Sequence, residues 1–451
     1  MSRLLQHFWK PMIQRLGSRN MSISAAMTAE AADKSCTDGV GSTNSVSVYI
    51  HYPYCESKCT YCNFNKYLVP SNGISHERIE RALVSDLTLS LVHPVEALGM
   101  PGTLPLHTAT SAPSRPRIHS VYFGGGTPSL ARRQHGNMGI MSDDTEVTLE
   151  ANPTSIEVSK LNLFKQAGIN RLSLGVQALD DESLRLLGRD HSARDADAAI
   201  AISMGTFSNV SLDFIYGRPG QTVDMWTKEL DRISRFGSTH LSLYQLTVER
   251  GTKLYQNVNS GKITMPDEDT LADFFEATQH GMNIRNFEQY EVSSFVRDGV
   301  AAHQGIHNQS YWTGNDYIGI GPGAHGRSLS ATSMQRFRTF RILEPNAWMA
   351  QCESIGHGMR RCIAVSQKET LDEIIMLGLR QRQGISASSF DKFGGKQLLH
   401  EKLADKQDKL KEMELRKWIV IDRNSAGQIE RIQTTQTGLG FGDLMALELL
   451  T

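Results

Sequence analysis

The feature that most constrains the fold is a series of short apolar runs separated by helical segments. Runs with the length and composition of strands occur at residues 46–50, 118–123, 147–149, 171–176, 210–215 and 240–246. Strands that alternate with helices form parallel sheets with right-handed crossovers. The sequence therefore predicts an α/β fold whose six βα units form an open or partial barrel.

Three cysteines follow the first predicted strand in the spacing CxxxCxxC, at Cys55, Cys59 and Cys62. Three thiolates can hold three irons of a cubane cluster and leave the fourth iron open to a small molecule. A structural zinc site normally closes its shell with four protein ligands. The spacing therefore favours a [4Fe–4S] cluster over the alternatives, a partial zinc site or a chance group of thiols.

The remaining composition excludes several classes of protein. The other cysteines, Cys36, Cys352 and Cys362, are scattered, which argues against a disulfide framework and favours a reducing compartment. A formal net charge of −1 argues against a broad nucleic-acid or anionic-membrane footprint. No run approaches the roughly 18 apolar residues of a membrane-spanning helix. We expect a soluble protein without a nucleic-acid partner.

The amino-terminal segment has the composition of a mitochondrial transit peptide. Residues 1–29 hold four basic residues among apolar residues and serines, and no acidic residue precedes Glu30. We therefore predict a transit peptide and leader at residues 1–35 and a mitochondrial location, with the matrix as the compartment. The alternative is an exposed amphipathic or disordered tail.

Several motifs together resemble one protein family. The cysteine run, with Tyr61 before its last thiol, resembles the radical S-adenosylmethionine (SAM) superfamily. YIH at 49–51, YFGGGTPSL at 122–130, TLEANP at 148–153 and LGVQ at 174–177 resemble the branch with oxygen-independent coproporphyrinogen dehydrogenases and HemW-type heme chaperones. This resemblance covers nearly all of residues 45–451. It implies a partial (β/α)6 radical-SAM barrel with a small, winged-helix-like C-terminal domain.

Two details favour the chaperones over the dehydrogenases. The dehydrogenases carry an extra cysteine two residues beyond the last cluster cysteine, and this chain has Phe64 there. HNQSYW at 307–312 matches the HNxxYW signature that the chaperones are thought to use for heme. The chain is similar to the mitochondrial member of that family, so we expect no catalytic residues and no porphyrinogen dehydrogenase activity.

The predicted cofactor residues follow the strands, as expected for α/β barrels, whose active sites gather at the carboxyl ends of the strands. A glycine run lets backbone groups approach a ligand, although alone it could be a tight turn. Glu150 could accept two hydrogen bonds from a ribose diol, or could be a solvated strand end or an arginine partner. The resemblance implies that SAM contacts Tyr49, Tyr61, Gly125, Gly126, Thr127, Glu150, Gln177, Arg189 and Asp213.

The HNxxYW segment contains the predicted heme contacts. Neutral imidazole is a common heme ligand, which makes His307 a candidate, and Tyr311 and Trp312 could pack on a porphyrin face. The alternative is a hydrogen-bonded loop histidine beside a core aromatic pair. Gly305 argues against a regular helix across His303 and His307. We favour a structural role over heme ligation for His325, at the end of the glycine-rich run 319–325.

The predicted organisation is a barrel at 45–300, a heme-associated segment and linker at 301–364, and a C-terminal domain at 365–451. The connection at 130–145 is shorter than in the family. A parallel crossover needs about a dozen or more residues and usually a helix, so a helix could be missing from the barrel wall, through a splice variant, an error in the gene model or a lineage-specific deletion. Residues 94–117 have the composition of a solvent loop. The mixed charges at 402–417 are typical of a solvated helix face.

These patterns predict a heme chaperone of porphyrin metabolism that carries heme to acceptor proteins, with a [4Fe–4S] cluster and exchangeable SAM that are not used to convert a porphyrin. A reductant protein is a further expected partner. The alternative is a radical SAM oxidoreductase that acts on a porphyrinogen. The sequence does not identify the heme acceptor, the electron donor or the oligomeric state.

Overall fold

The computed structural model describes residues 45–93, 95–98, 116–131, 141–330, 333, 335–393, 395 and 397–451. The predicted leader, Cys36, most of the loop at 94–117 and the middle of the 130–145 connection lie outside the described residues. The predictions for those segments therefore stay predictions.

One large sheet and two small ones contain the described strands. In chain order the strands are β1 (Ser45–Tyr52), β2 (Tyr54–Cys55), β3 (Tyr67–Leu68), β4 (Arg117–Gly125), β5 (Met141–Ala151), β6 (Arg171–Gln177), β7 (Val210–Tyr216), β8 (His240–Gln245), β9 (Phe287–Gln289), β10 (Ser294–Arg297), β11 (Tyr317–Ile320), β12 (His325–Leu329), β13 (Arg336–Arg341), β14 (Met359–Val365), β15 (Ile385–Ser386), β16 (Ile419–Arg423) and β17 (Ile429–Thr434).

The helices begin mostly at residues whose side chains cap them, as Ser192 and Ser366 do in capping boxes and Asp180 and Thr222 do alone. In chain order the helices are α1 (His76–Val92), α2 (Val95–Leu98), α3 (Ser155–Val158), α4 (Leu161–Gln166), α5 (Asp181–Leu187), α6 (Ala193–Thr206), α7 (Val223–Ser234), α8 (Lys253–Asn259), α9 (Glu268–Asn283), α10 (Ile306–Trp312), α11 (Pro345–Ile355), α12 (Gln367–Gly378), α13 (Gln397–Lys402), α14 (Gln407–Leu415), α15 (Gln436–Leu439) and α16 (Gly442–Leu450).

The large sheet confirms the predicted α/β class and the six predicted parallel strands. Its order is β14-β13-β12-β11-β1-β4-β5-β6-β7-β8-β10-β9, and neighbours from β11 to β8 are parallel. The sequence analysis missed β11, which lies beside β1 although it follows α10 in the chain. It also missed the antiparallel extension β12–β14. These strands are short or rich in glycine and arginine, so they lack the apolar run that marked the other six.

Side chains alternate across each parallel strand and give the sheet two unlike faces. On β1, Val46, Val48 and Ile50 join the buried apolar cluster that the flanking helices cover. The residues between them are polar or aromatic, and Ser47 hydrogen-bonds Ser120 of β4 at 2.7 Å. The sheet therefore buries an apolar layer on one side and a polar layer on the other.

The short connection after β4 leaves the sheet intact. Between β4 and β5 the described residues include one 3-10 turn, Pro128–Leu130, and no α-helix. β5 nevertheless pairs in parallel with both β4 and β6.

The C-terminal region has a buried cluster of its own, which runs from Leu371 to Leu449 and includes Phe390, Leu410 and Met445. The C-terminal region contains helices and the small antiparallel sheet β15-β17-β16. This agrees with the predicted small helical C-terminal region. In the part of the chain that the structure describes, no helix is both long and apolar enough to cross a membrane.

Candidate functional site

The cysteine loop lies at the carboxyl end of β1. Cys55 is on β2, which pairs in parallel with β3, and Cys59 and Cys62 lie between these two short strands. The backbone of Thr60 fixes the loop, because its N–H donates to Leu187 O at 2.9 Å and its carbonyl accepts from Leu254 N–H at 2.8 Å. The loop is therefore attached to α5, which follows β6, and to α8, which follows β8.

All three thiols are free, with Cys55 buried and the other two partly exposed. Burial raises the pKa of the Cys55 thiol, a hydrogen bond with Thr127 lowers it, and the nearby Cys62 and Cys59 raise it. Among the described residues, no group of three or more His, Cys, Asp or Glu side chains has the geometry of a metal site. Three thiols within electrostatic reach of one another match the three-ligand set of a multi-iron cluster, whereas a structural zinc site normally has four protein ligands.

Arg189 joins the cysteine loop to the strands behind it. Its Nη1 donates to Cys59 Sγ at 3.2 Å, and its Nη2 donates to Asn152 Oδ1 at 2.5 Å and to Gly175 O at 3.1 Å. A guanidinium favours an anionic sulfur beside it. Tyr61, the aromatic residue before the last thiol, is also near Arg189, and burial raises its pKa. Two residues predicted to contact SAM thus lie against the predicted cluster.

The glycine run packs the end of β4 tightly against the end of β1 and against β2. Gly125 has φ +113°, and a Cβ there would lie 2.6 Å from His51 Cε1. A Cβ on Gly126 would lie 2.8 Å from the Tyr54 carbonyl oxygen. The N–H group of Gly126 donates to Tyr52 O at the end of β1, and that of Thr127 donates to Tyr54 O on β2. The run therefore needs glycine for close packing, whatever ligand the loop contacts.

Glu150 is the acidic group nearest the glycine run. Its carboxylate accepts hydrogen bonds from Tyr122 Oη at 2.8 Å and from Gly125 N–H at 3.1 Å. Burial raises its pKa to about 7, and the nearby Asp213 raises it as well. Neither structural alternative from the sequence, a free strand end or an arginine partner, describes this carboxylate. It is partly exposed and could still accept from a ribose diol.

The other predicted SAM contacts lie on neighbouring strands. Tyr49 Oη is 3.1 Å from His51 Nδ1, and the Tyr49 ring stacks on Tyr122. Gln177, at the end of β6, has φ +71°. Asp213 accepts from two serine hydroxyls on the strands, and burial raises its pKa. The glycine run, Glu150 and Gln177 lie at the carboxyl ends of their strands, whereas Tyr49 and Asp213 lie within β1 and β7. Their contacts with SAM stay predictions.

His307 lies inside the polar layer. Helix α10 begins after Gly305, so His303 and His307 do not share a regular helix, as the glycine indicated. His307 is 2% exposed, its Nδ1 is 3.0 Å from Ser120 Oγ and its Nε2 is 2.9 Å from Tyr311 Oη. Burial lowers its pKa to about 3. Both ring nitrogens therefore have partners, and a heme iron could reach this imidazole only if α10 moved.

The His307 ring also contacts the predicted cofactor residues. It stacks on Tyr122 with ring centroids 5.0 Å apart, and Tyr122 is the donor to Glu150. Trp312, at the end of α10, lines a cleft formed with the C-terminal residues Gln381 and Ile385. The three predicted heme residues therefore have different environments. The His307 ring is buried, the Tyr311 hydroxyl is hydrogen-bonded to that ring, and Trp312 lines a cleft.

Sequence analysis missed a second buried arrangement of the same kind. His240 Nδ1 is 2.8 Å from Ser211 Oγ, and His240 Nε2 is 2.9 Å from Tyr290 Oη. Asn308 of the HNxxYW motif donates to the same Tyr290 hydroxyl at 3.2 Å. The signal in the sequence was the polar residue at every second strand position, which the search for apolar runs passed over.

This chain is similar to a known protein family and to several of its members. A family model described as the radical SAM superfamily matches residues 104–233. The "Radical S-adenosyl methionine domain-containing protein 1, mitochondrial" of Bos taurus is 37% identical over 417 residues, which cover 90% of this chain and 87% of that protein. The "Heme chaperone HemW" of Bacillus subtilis is 31% identical, over 77% of this chain and 87% of that protein.

A solved structure shares the fold. The coproporphyrinogen III oxidase HemN of Escherichia coli, a radical SAM enzyme, superposes with a TM-score of 0.68 over 90% of both chains. Its sequence identity to this chain is 18%, so the likeness concerns the fold alone. It confirms the predicted α/β class with a large, mostly parallel radical-SAM sheet.

Proposed function

The chain belongs to the radical SAM family that contains mitochondrial radical SAM domain-containing protein 1 and HemW, and we propose that it is a heme chaperone that transfers heme to acceptor proteins. Four relatives at 31% to 36% identity carry the name "Heme chaperone HemW", from Bacillus subtilis, two Mycobacterium tuberculosis strains and Escherichia coli. We extend the heme-chaperone role of these relatives to this chain.

Cys55, Cys59 and Cys62 would hold a [4Fe–4S] cluster, and Glu150, Gln177 and the glycine run would hold SAM beside it. When bound, such a cluster supplies an electron and an open coordination site. The chain's own contribution is positional. Arg189 holds Cys59 toward the strands, and Gly125 holds the Glu150 carboxylate at the glycine run.

Phe64 is the observation that carries the choice of a chaperone over an enzyme. The dehydrogenases have a cysteine at this position, whereas Phe64 is 64% exposed at the rim of the cysteine loop. A phenyl ring can neither ligate iron nor transfer a proton or an electron pair. A porphyrinogen dehydrogenase remains the alternative function, and no observation on this chain favours it.

The location and organisation follow the same relatives. Those from cattle, mouse and zebrafish carry "mitochondrial" in their names, and the leader composition supports import of this chain, with the matrix as the proposed compartment. We keep the boundaries 45–300, 301–364 and 365–451 as the proposed division. A heme-acceptor protein and a reductant protein are the proposed partners.

The test is anaerobic reconstitution of the full chain with iron and sulfide, followed by a heme titration in the Soret region. The same sample is assayed for 5′-deoxyadenosine after SAM and a reductant are added. A heme chaperone binds heme saturably without producing 5′-deoxyadenosine. Production that requires a porphyrinogen, without a stable heme complex, would replace the proposal with the enzyme alternative.

A further inference from the structure

One row of side chains crosses the antiparallel extension of the large sheet. In the strand register, His325 of β12 lies opposite Phe340 of β13, and Phe340 lies opposite Arg361 of β14. Directly paired residues of neighbouring strands point to the same face of a sheet. The row therefore presents an imidazole, a phenyl ring and a guanidinium on one face, in that order.

The row is accessible. His325 and Arg361 are exposed and Phe340 is partly exposed. The His325 and Phe340 rings meet edge to face with centroids 4.6 Å apart. Within the described part of the chain, the His325 ring makes no hydrogen bond and Arg361 makes no ion pair. Partial burial and Arg327 lower the pKa of His325, which favours the neutral imidazole that binds metals.

Close glycine packing brings this row to the cysteine loop. Gly321 and Gly323 have φ of +93° and +78°. A Cβ on Gly321 would lie 2.3 Å from His51 O, and a Cβ on Gly323 would lie 2.4 Å from Asn65 Nδ2. Glycines in the run before His325 thus let the start of β12 lie against the segment that follows Cys62.

Apolar side chains are exposed beside this contact. The Asn65 side-chain amide donates to Pro322 O at 2.9 Å and to Leu343 O at 3.0 Å, which joins the cysteine loop to the segment after β13. Leu343 is 46% exposed, and Phe64, the neighbour of Asn65 in the chain, is 64% exposed. A planar apolar ligand on the row would find further apolar surface at this junction.

From these contacts, and resting on the proposed heme-carrier function, we propose that heme docks on this row with its iron on His325, its ring against Phe340 and a propionate at Arg361. Neighbouring strands are about 4.8 Å apart, so the row spans about 10 Å. A porphyrin held by His325 would contact the adjacent Phe340 ring, and the long Arg361 side chain would reach a carboxylate at the porphyrin edge.

The same geometry explains why the motif histidine is the poorer ligand. His307 is closed in by Ser120, Tyr311 and the ring of Tyr122. Ligation through Nε2 would replace the hydrogen bond with Tyr311 and would have to displace the side chains that bury the ring, whereas ligation at His325 replaces no hydrogen bond. A heme docked on this row would also lie near the cysteine loop, because Asn65 of that loop donates to Pro322 O and Leu343 O on either side of the row.

The test compares Soret spectra and heme affinities of the reconstituted full chain with those of three histidine variants: His325→Ala, His307→Gln and His280→Ala. His280 is exposed on α9 and serves as the matched surface control. We expect His325→Ala alone to lose the histidine-ligated Soret band, and free imidazole to restore it. If His325→Ala keeps the band, or if a folded His307→Gln loses it, the inference is overturned while heme binding stands. If the wild-type chain binds no heme, the proposed function fails and the inference with it.

Arg361→Ala tests the propionate contact separately. We expect it to keep the Soret band and to weaken heme affinity about two- to fivefold, the range of an exposed ion pair. Heme dimethyl ester, which lacks the carboxylates, is expected to bind both proteins equally. An Arg361→Ala protein that binds free heme as the wild type does would remove Arg361 from the site.

Discussion

The cysteine loop, the glycine run and Glu150 form what we call the mouth of the parallel sheet, at the carboxyl ends of its strands. The mouth and the polar layer are built from the same strands, but their polar side chains differ in accessibility and in hydrogen bonding. At the mouth, three thiols are free and Glu150 is partly exposed. In the polar layer, His307 and His240 each have a serine and a tyrosine on their two ring nitrogens. The mouth therefore keeps groups available for ligands, whereas the layer uses its groups to hold the strands and α10 together.

The two buried histidines reach different predicted SAM contacts. His307 stacks on Tyr122, whose hydroxyl donates to Glu150. His240 connects through Ser211 to Asp213. Two residues of HNxxYW contact the polar layer at separate points, His307 at Ser120 and Asn308 at Tyr290. A motif can therefore mark a structural connection even where its residue types suggest a ligand.

The largest expected effect is at the mouth. Cys59→Ala removes one of three thiolates, so we expect loss of the cluster and of its visible absorbance after reconstitution, with little change in thermal unfolding. Cys362→Ala is the matched control, since this cysteine lies on β14, at the edge of the large sheet. A Cys59→Ala protein that retains the full iron content would contradict the assignment of the cluster ligands.

The next effect is in the polar layer. Glu146 accepts from the N–H groups of Ile306 and His307 and pairs with the buried Arg171 at 3.8 Å. Glu146→Ala leaves that guanidinium unpaired, and we expect the free energy of unfolding to fall by about 3 kcal/mol or more. Urea unfolding of the wild-type and Glu146→Ala apoproteins measures this loss of free energy. A loss below about 1 kcal/mol would mean that Glu146 does not anchor α10.

Glu150 gives the mouth a pH dependence. Its pKa in the folded protein is raised to about 7 from 4.5, so ionisation of this carboxylate opposes folding. Relative to the neutral Glu150→Gln variant, we expect the wild-type chain to lose stability as the pH rises through this window. SAM affinity should move the other way, because only the ionised carboxylate accepts from both ribose hydroxyls. Unfolding and SAM binding at about pH 6 and about pH 8 test both directions, since these values lie about 1 unit below and above the raised pKa. Parallel profiles for the two proteins would rule out Glu150 as the titrating group.

A smaller effect is expected from Tyr122→Phe. The ring and its stacking on His307 remain, but the hydrogen bond to Glu150 is lost. We expect SAM affinity to fall about fivefold, equivalent to about 1 kcal/mol for one hydrogen bond. Tyr290→Phe removes the matching hydroxyl beside His240 and should leave SAM affinity unchanged. Equal losses in the two variants would indicate a general loosening of the polar layer.

The smallest effect is expected at Phe64. Because its ring is 64% exposed, Phe64→Ser should change the free energy of unfolding by less than about 0.5 kcal/mol. The cluster content should also be unchanged, since the serine is not needed as a ligand. Chemical unfolding and iron analysis of the reconstituted variant check this. Cluster loss would show that the ring shields the cysteine loop.

The sequence predicted the barrel strands and the mouth well because both depend on local patterns. An apolar run of the right length marks each of the six strands. Parallel strands end at one edge of a sheet, so Cys55, the glycine run and Glu150 had to lie near one another once those strands were placed. The antiparallel extension was missed because strands such as β14 carry exposed arginines in place of an apolar run.

The sequence by itself determined the parallel order of elements, the set of three thiols and the family. Only the tertiary structure decided which histidine a ligand can reach. His307 and His325 lie in the same family-like stretch, but α10 turns His307 into the polar layer while the glycine-rich run places His325 on an open sheet face. Accessibility depends on what distant segments pack against a side chain, and the spacing of residues along the chain does not contain that information.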